Sequence, residues 1–170
     1  FWGAPNSICL EDLPHKGNLR NGHGMKEWRQ SDLASKTAQS AWKLYTTGSV
    51  GSQAILGISH LYKLKCWLGE QGAVFPLETG SQLPNCPVVI GEIYPSFYSF
   101  DYMIPLQEQY SNQFYDILDA RQVRQVCDQF ASLMQIKMRA SYLFDVKSIR
   151  DSILKEEGWI VGVPVNGKTE

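Results

Sequence analysis

The sequence predicts an α/β or α+β domain with a small mixed sheet and several flanking helices. Two short apolar segments that carry a glutamate near their end, 73–78 and 87–94, are typical of buried strands. Longer segments with apolar residues at three- and four-residue steps are typical of helices, and they outweigh the strands. With 170 residues, of which 44% are hydrophobic and 19% charged, the chain is predicted to form one globular domain over 1–170.

The elements follow one another without an internal repeat or a flexible linker. The first 24 residues are rich in glycine and proline and are predicted to form a loop. Helices are predicted over 24–34, 50–68, 118–135 and 146–156. Gly69 is expected to end the second helix and Gly158 the last one, since glycine commonly follows a helix. The closing segment WIVGVP is predicted to be a terminal strand or an apolar tail.

The chain begins at Phe1, and its first residues, FWGAPN, lack the charged and apolar regions of a signal peptide. The start is therefore interpreted as an internal boundary, with the chain either a whole domain or a fragment that lacks N-terminal strands. No apolar run approaches the roughly 20 residues that span a bilayer. A soluble cytoplasmic protein without a membrane partner is expected.

The four cysteines are far apart, with no C-x-x-C pair and no Cys/His cluster of zinc-site spacing. Disulfides would require an oxidising compartment. We predict that Cys9, Cys66, Cys86 and Cys127 are reduced thiols and that most of them are buried, as free cysteines usually are.

The net charge of −1 argues against nucleic-acid binding by bulk electrostatics. The basic stretch 15–29 is a local exception. There Arg20 and Arg29 are predicted to steer a phosphate-bearing substrate, such as a nucleic acid or a nucleotide, because a guanidinium suits phosphate better than an ammonium does. The alternative is a solvated loop and an exposed helix face.

Two glutamates stand at the ends of the predicted strands. If these strands are parallel neighbours, Glu78 and Glu92 emerge at the same sheet edge, where open α/β sheets bind ligands. Paired carboxylates repel one another, so they attract a divalent cation or share a proton. Asp119 would complete the set, and all three are predicted as catalytic residues and as ligands of Mg²⁺ or Mn²⁺. The alternative is that each glutamate bonds a backbone N–H or an arginine, with Asp119 as a plain helix cap.

The segment TTGSVGSQ, residues 46–53, enters the second helix. Gly48 and Gly51 free its backbone, Ser49 and Ser52 offer hydroxyls, and the first N–H groups of a helix lack partners. We predict that these four residues hold a phosphate. The segment matches no nucleotide-binding motif, and the alternative is a glycine-rich turn with Ser49 or Ser52 as the helix cap.

Glu156 and Glu157 occupy the last turn of the final predicted helix, where the helix dipole disfavours acids. A partner is therefore expected, such as Lys155, an arginine or a cation. The alternative is that at least one of the two is exposed to solvent.

Six segments stand in a distinctive order: GMKEWRQSD, GSVGSQAILGISHL, VFPLET, VVIGEIYPS, LDARQVR and EEGWIVGVP. In this order they resemble the C-terminal part of a family of uncharacterised bacterial proteins, and the resemblance covers residues 1–164. Many members of that family are labelled as molybdopterin-guanine-dinucleotide or cobalamin biosynthesis proteins. The family is similar to predicted nucleases of the ribonuclease H-like fold.

The resemblance implies the back half of a ribonuclease H-like fold, in which Glu92 takes the place of the strand-end glutamate. It also implies that the strands with the first catalytic aspartates are missing here. Asp119, Glu156 or Glu157 would supply the last carboxylate. The missing half would leave a sheet edge and an apolar face uncovered, so assembly into a homo-oligomer is expected.

Two functions are therefore predicted. The first is nuclease-like, divalent-metal-dependent phosphoryl transfer on nucleic acid or a nucleotide. The second is a non-enzymatic module that binds a partner or itself through the aromatic segment 97–115. An enzyme requires Glu92 near another carboxylate in an open cleft. A module requires Glu92 paired with a basic residue and the aromatic segment buried between chains. A role in pterin cofactor synthesis rests on the family labels alone.

Overall fold

The structure, a computed structural model, describes residues 1–8, 11–17, 26–35, 37–83, 85–95, 117–135, 141 and 143–165. In these ranges the chain forms helices beside a two-stranded sheet. In chain order the elements are α1 (Gln30–Ser35), α2 (Gly51–Leu68), a 3-10 turn (Gly69–Gln71), β1 (Gly72–Phe75), β2 (Val88–Gly91), α3 (Leu118–Gln135) and α4 (Asp151–Glu157). The predicted combination of helices with a small sheet is therefore confirmed.

The two strands pair in parallel, with Gly72 opposite Val88 and Phe75 opposite Gly91. The parallel, neighbouring arrangement that the predicted site at the sheet edge assumed is therefore present, but both strands are shorter than predicted. β1 stops at Phe75 because the next residue, Pro76, has no N–H to continue the ladder.

The closing segment lies alongside the end of β2. Ile160 forms a parallel bridge with Glu92, and the N–H of Val161 donates to the carbonyl oxygen of Glu92 at 2.8 Å. The apolar residues of the segment are buried: Trp159, Ile160, Val161 and Val163. The segment is therefore part of the core and extends the sheet by one bridge.

The hydrophobic core lies where β1, α4 and the closing segment meet. Its most deeply buried large side chains are Phe75, Val146 and Leu154. The ring of Phe75 packs edge-on against that of Phe144, with 5.1 Å between the ring centroids. Burial of side chains of this size stabilises by about 1.5–3 kcal/mol each, so this cluster holds the sheet to the C-terminal elements.

Helix α1 begins at Gln30, later than the predicted start at Gly24, and residues 26–29 are not helical. The cause is a cap. Asp32 Oδ2 accepts a hydrogen bond from the backbone N–H of Arg29 at 3.1 Å, as the third residue of a helix does in a capping box. This contact places the N-cap at Arg29.

Helix α2 covers nearly the predicted range, and Gly69, with a φ of +54°, ends it as predicted. The N–H of Gly51 donates to the carbonyl oxygen of Lys43 at 2.7 Å. A Cβ at position 51 would lie 2.6 Å from that oxygen, so only glycine fits here. Gly51 is the single buried residue of α2, all of which the structure describes. Within the described parts of the chain, no helix has both the length and the apolar character needed to cross a membrane.

The last two helices start differently from the prediction. Asp119 lies in the first turn of α3 rather than before it, so the predicted cap is wrong. Helix α4 begins at Asp151 instead of 146, because Val146 and Ile149 form a hydrogen-bonded turn whose side chains are buried in the core. Gly158, with a φ of +72°, ends α4 as predicted.

Three of the four cysteines lie in described residues, and all three are free thiols. The prediction that most of them are buried is wrong for these three. Cys66 and Cys127 are exposed and Cys86 is half-buried, because the first two lie on sides of α2 and α3 that face solvent. Cys9 lies outside the described residues.

Candidate functional site

A buried arginine holds two carboxylates together at the carboxyl end of the sheet. Arg29 Nη1 and Nη2 donate to the two carboxylate oxygens of Glu92 at 2.6 and 2.7 Å. Nη2 and Nε donate to Asp32 at 2.8 and 3.2 Å, and Nη1 also donates to the carbonyl oxygen of Glu157 at 3.3 Å. A guanidinium carries five N–H groups, and all five are used here.

The three charged side chains of this cluster are buried to different extents. Arg29 is 7% exposed and the Asp32 side chain is fully buried, whereas the Glu92 side chain is 45% exposed. Burial alone would lower the pKa of Arg29, but the hydrogen bonds and charges of Glu92 and Asp32 raise that pKa above its ordinary value. The guanidinium therefore stays charged at any pH at which the protein is folded.

Glu157 connects the end of α4 to the start of α1. Its Oε2 accepts a hydrogen bond from the backbone N–H of Gln30 at 2.9 Å, one of the N–H groups that a helix start leaves unpaired. The unfavourable position of this acid at the end of α4 is thus offset by a favourable position at the start of α1. The sequence required a partner for one of these acids, and Glu157 has it, while Glu156 is exposed.

These contacts explain why a glutamate follows β2. The carboxylate of Glu92 binds Arg29, and its carbonyl oxygen binds the N–H of Val161. Glu92 therefore joins α1, β2 and the closing segment. The sequence left open whether Glu92 lies near another carboxylate or is paired with a basic residue. In the structure, both of its carboxylate oxygens are paired with a basic residue. A catalytic or metal-binding role for Glu92 stays a prediction.

Glu78 turns back onto its own strand. Its Oε2 accepts the N–H of Val74 at 2.8 Å, and its own N–H donates to the carbonyl oxygen of Val74 at 2.9 Å. Lys65 Nζ on α2 lies 3.7 Å from Glu78 Oε1. Both backbone groups of Val74 are thereby occupied, which closes β1 at this point to another strand. The alternative of a glutamate bonded to a backbone N–H fits Glu78.

Asp119 is exposed in the first turn of α3. In the part of the chain that the structure describes, no group of three or more His, Cys, Asp or Glu side chains is arranged to hold a metal ion. The partners of Glu78 and Glu92 are Val74 and Arg29 rather than each other. A Mg²⁺ or Mn²⁺ site on these acids stays a prediction.

The glycine-rich segment before α2 forms a tight turn, with Gly48 at a φ of +76°. The hydroxyl of Ser49 donates to the carbonyl oxygen of Thr46 at 2.6 Å, and that of Ser52 to the side-chain oxygen of the next residue at 3.1 Å. Neither serine caps α2, because the N-cap is Val50, which has no side-chain hydrogen bond. Phosphate binding by this segment stays a prediction.

Of the two predicted steering residues, Arg29 lies in the part of the chain that the structure describes. Arg29 is buried, and all its N–H groups are bound within the protein, so it could contact a substrate only after releasing an acceptor. Arg20 and the aromatic segment 97–115 lie outside the described residues. Their roles in substrate steering and in partner binding stay predictions.

A groove of about 570 Å³ runs between α2 and the carboxyl end of the sheet. Its lining includes the pair Arg29 and Glu92, with Ala54, Ile58 and Leu61 from α2 and Phe75, Ile90 and Ile93 from the sheet and its end. Space therefore separates α2 from the sheet here, where a core helix would be in close contact.

Helix α2 exposes a large apolar surface to solvent. Its exposed large apolar side chains are Ile55, Leu56, Ile58, Tyr62, Leu64 and Trp67. Four of them are more than half exposed: Leu56 at 64%, Ile58 at 59%, Tyr62 at 70% and Trp67 at 80%. The outward face of α2, opposite the half-buried Ala54, Leu61 and Leu68, comprises Ile55, Leu56, Ser59, Tyr62, Lys63, Cys66 and Trp67.

This outward face was not predicted from the sequence, in which the apolar stripe of α2 was used to predict a helix only. The sequence does carry one related signal, the scarcity of charged residues, which indicates a helix that is covered on more than one side without showing what covers it. Between 51 and 68 the charged residues are Lys63 and Lys65, and there is no acid. A helix without a distinct polar side is typically covered on more than one side, and α2 is not covered by the rest of the chain that the structure describes.

The structure thus has two candidate functional features, the buried Arg29 cluster and the outward face of α2. Comparisons with protein-family models, with curated proteins and with solved structures found no match for this chain. The likeness of the motif order to the bacterial family therefore stays a prediction.

Proposed function

We propose that this protein is a non-enzymatic binding module whose contact surface is the outward face of α2. The observation that carries the proposal is a helix of 18 residues in which only Gly51 is buried and six large apolar side chains are exposed. Exposed apolar patches of this kind are rare on soluble monomers and mark interaction sites. The two aromatic residues on this face, Tyr62 and Trp67, belong to the types that are enriched in interface cores.

The contacts of Glu92 also favour a module. A metal ligand or a general base needs an oxygen that is available to the cation or the proton. Both oxygens of Glu92 are bound to Arg29, and Arg29 in turn has every N–H bound to a protein acceptor. These contacts use two of the roughly four acceptor sites of the Glu92 carboxylate, and the pair holds α1 against the sheet, as a structural ion pair does.

A substitution on the outward face tests the proposal. We expect Leu56→Gln/Trp67→Gln to change the free energy of unfolding by no more than about 0.5 kcal/mol, because surface substitutions rarely do more. Urea unfolding would be measured at a concentration at which the wild type sediments as a monomer. Leu154→Ala, at a fully buried position, is the control and should lose about 2–5 kcal/mol. A comparable loss in the double variant would mean that α2 is packed within the chain and would end the proposal.

A second candidate is the divalent-metal-dependent phosphoryl transfer that the resemblance to ribonuclease H-like proteins implies. One observation favours it, since the groove is lined by four carboxylates and one arginine. The carboxylates are those of Asp32, Glu92, Glu156 and Glu157. Mg²⁺ or Mn²⁺ would have to compete with Arg29 for Glu92.

Thermal unfolding with and without millimolar Mg²⁺ or Mn²⁺ tests this second candidate. A cation that binds only the native protein raises the midpoint of unfolding. A rise in the wild type that Glu92→Gln abolishes would support metal chemistry at Glu92. If neither protein responds to either cation, the second candidate is removed.

A further inference from the structure

We infer that the outward face of α2 docks against the same face of a second copy of this chain, with the two α2 helices antiparallel. The inference rests on the proposed function, because it names the partner of that surface. A contact with two-fold symmetry uses one patch twice, so a single exposed helix is sufficient to build it.

The area of the outward face is of the size that half a dimer interface needs. Tyr62 and Trp67 are 70% and 80% exposed, and aromatic side chains bury about 150–250 Å² each. Together with Ile55 and Leu56 they offer on the order of 500 Å² of apolar surface, a large part of the roughly 800 Å² per partner in a standard interface. Polar neighbours on the rim would supply the remainder.

The charges on α2 favour an antiparallel pair. Lys63 and Lys65 both lie in the C-terminal half of the helix, which has no acid to offset them. A parallel pair would bring the two copies of Lys63 together, and like charges at close range are destabilising. An antiparallel pair with its two-fold axis near residue 61 offsets the two copies of Lys63 by about 6 Å along the helices. It also opposes the two helix dipoles.

The sizes of the side chains fit the same arrangement. With the two-fold axis near residue 61, Trp67 lies against the partner's Ile55 and the partner's Leu56. Tyr62 then lies beside the partner's Ser59, which is small enough to leave room for the ring. A large aromatic residue against aliphatic ones, and another against a serine, give the close packing that interface cores have.

A membrane surface is the competing occupant of this face. Helices that lie in a membrane interface carry a strongly charged face opposite the apolar one. Helix α2 has only two charged residues, and one of them, Lys65, lies 3.7 Å from Glu78 on the side of the body. A second copy of the chain is therefore the favoured occupant.

Sedimentation equilibrium over a wide range of concentration tests the inference. We expect the wild type to form a dimer that dissociates on dilution. Leu56→Gln/Trp67→Gln should raise the dissociation constant by about 30-fold or more, as the loss of a central aromatic residue does at other interfaces. The matched control is Val123→Gln, which replaces an exposed apolar residue on α3 and should leave the dissociation constant unchanged.

Cross-linking tests the orientation of the helices. In the antiparallel arrangement, position 55 of one copy faces Cys66 of the partner subunit. Oxidised Ile55→Cys should therefore form a disulfide between positions 55 and 66 of two copies, identified by mass spectrometry of the digested dimer. Leu33→Cys, at an exposed site on α1, should form none with Cys66. A wild-type dimer linked through Cys66 of both copies would overturn the antiparallel arrangement.

The outcomes separate this inference from the proposed function. If the protein stays monomeric at every concentration and the stability of Leu56→Gln/Trp67→Gln is unchanged, the inference of a second copy is wrong. The proposed binding module is not affected by that result. A monomer that sediments with phosphatidylserine vesicles through α2 assigns the face to a membrane surface and also overturns the second copy. A large loss of stability in the double variant overturns both.

Discussion

Arg29 and Glu92, which are 63 residues apart in the sequence, form a bidentate ion pair with N–O distances of 2.6 and 2.7 Å. The opposite side of the same guanidinium binds Asp32 inside α1. One buried cation thus fixes the start of α1 against the end of β2. Because removal of one partner of a buried ion pair leaves the other charge uncompensated, the cluster predicts losses of stability that increase with the burial of the residue that is changed.

Asp32→Asn is expected to lower the free energy of unfolding by about 3 kcal/mol, near the lower end of the cost of breaking a buried pair. The Asp32 side chain is fully buried, so water cannot replace the lost charge. Urea unfolding monitored by tryptophan fluorescence would measure the change. A loss below about 0.5 kcal/mol, the range of ordinary surface substitutions, would show that this carboxylate does not hold Arg29.

Glu92→Gln is expected to cost less, about 1 kcal/mol, because a half-exposed carboxylate contributes less than a buried one. Its side chain is 45% exposed, and water would take over part of its contact with Arg29. The control is Glu156→Gln, at an exposed position in the last turn of α4, which should leave the free energy of unfolding unchanged. Equal effects of the two substitutions would contradict a structural role for Glu92.

The two glycines of α2 predict opposite effects of alanine. At Gly51 an added Cβ would lie 2.6 Å from the Lys43 carbonyl oxygen, whereas at Gly57 it would meet nothing within 4 Å. We therefore expect Gly51→Ala to lower the free energy of unfolding by about 1–3 kcal/mol. Gly57→Ala should raise it by up to about 1 kcal/mol, since alanine is the better helix former. Thermal and urea unfolding of the two variants would measure both effects, and effects of the same sign would contradict this start of α2.

Glu78→Ala is expected to expose the edge of β1. The substitution removes the carboxylate that binds the N–H of Val74, at a cost of about 1 kcal/mol for one hydrogen bond. An open strand edge favours pairing with other chains, so turbidity should rise faster on heating than in the wild type. Glu70→Ala, an exposed acid in the 3-10 turn, is the control, and identical turbidity curves for the two variants would refute the role of Glu78.

Local features of the fold were predictable from the sequence. The ends of α2 and α4 follow from Gly69 and Gly158, because both have positive φ values that favour glycine. The two strands follow from two short apolar runs, whereas their parallel pairing was only assumed. The start of α1 was predicted too early because Asp32 acts as a cap at Arg29, and the sequence pattern there shows basic residues rather than a capping residue.

The candidate site was less predictable because its contacts are distant in the sequence. That Glu92 has a partner follows from the rarity of unpaired acids near a core, but the identity of Arg29 requires the fold. The exposure of α2 could not be read from its apolar stripe either. The same pattern fits a helix buried in its own domain and one that is covered by another chain.

Thiol labelling of the native protein tests whether the outward face of α2 is open to solvent in the single chain. Cys66 lies on this face, and Cys127, exposed on α3, is an internal standard. In dilute protein we predict that a maleimide labels Cys66 as fast as Cys127, with both rates near those in urea and resolved by peptide mass spectrometry. Slow labelling of Cys66 at every concentration, beside fast labelling of Cys127, would contradict the account.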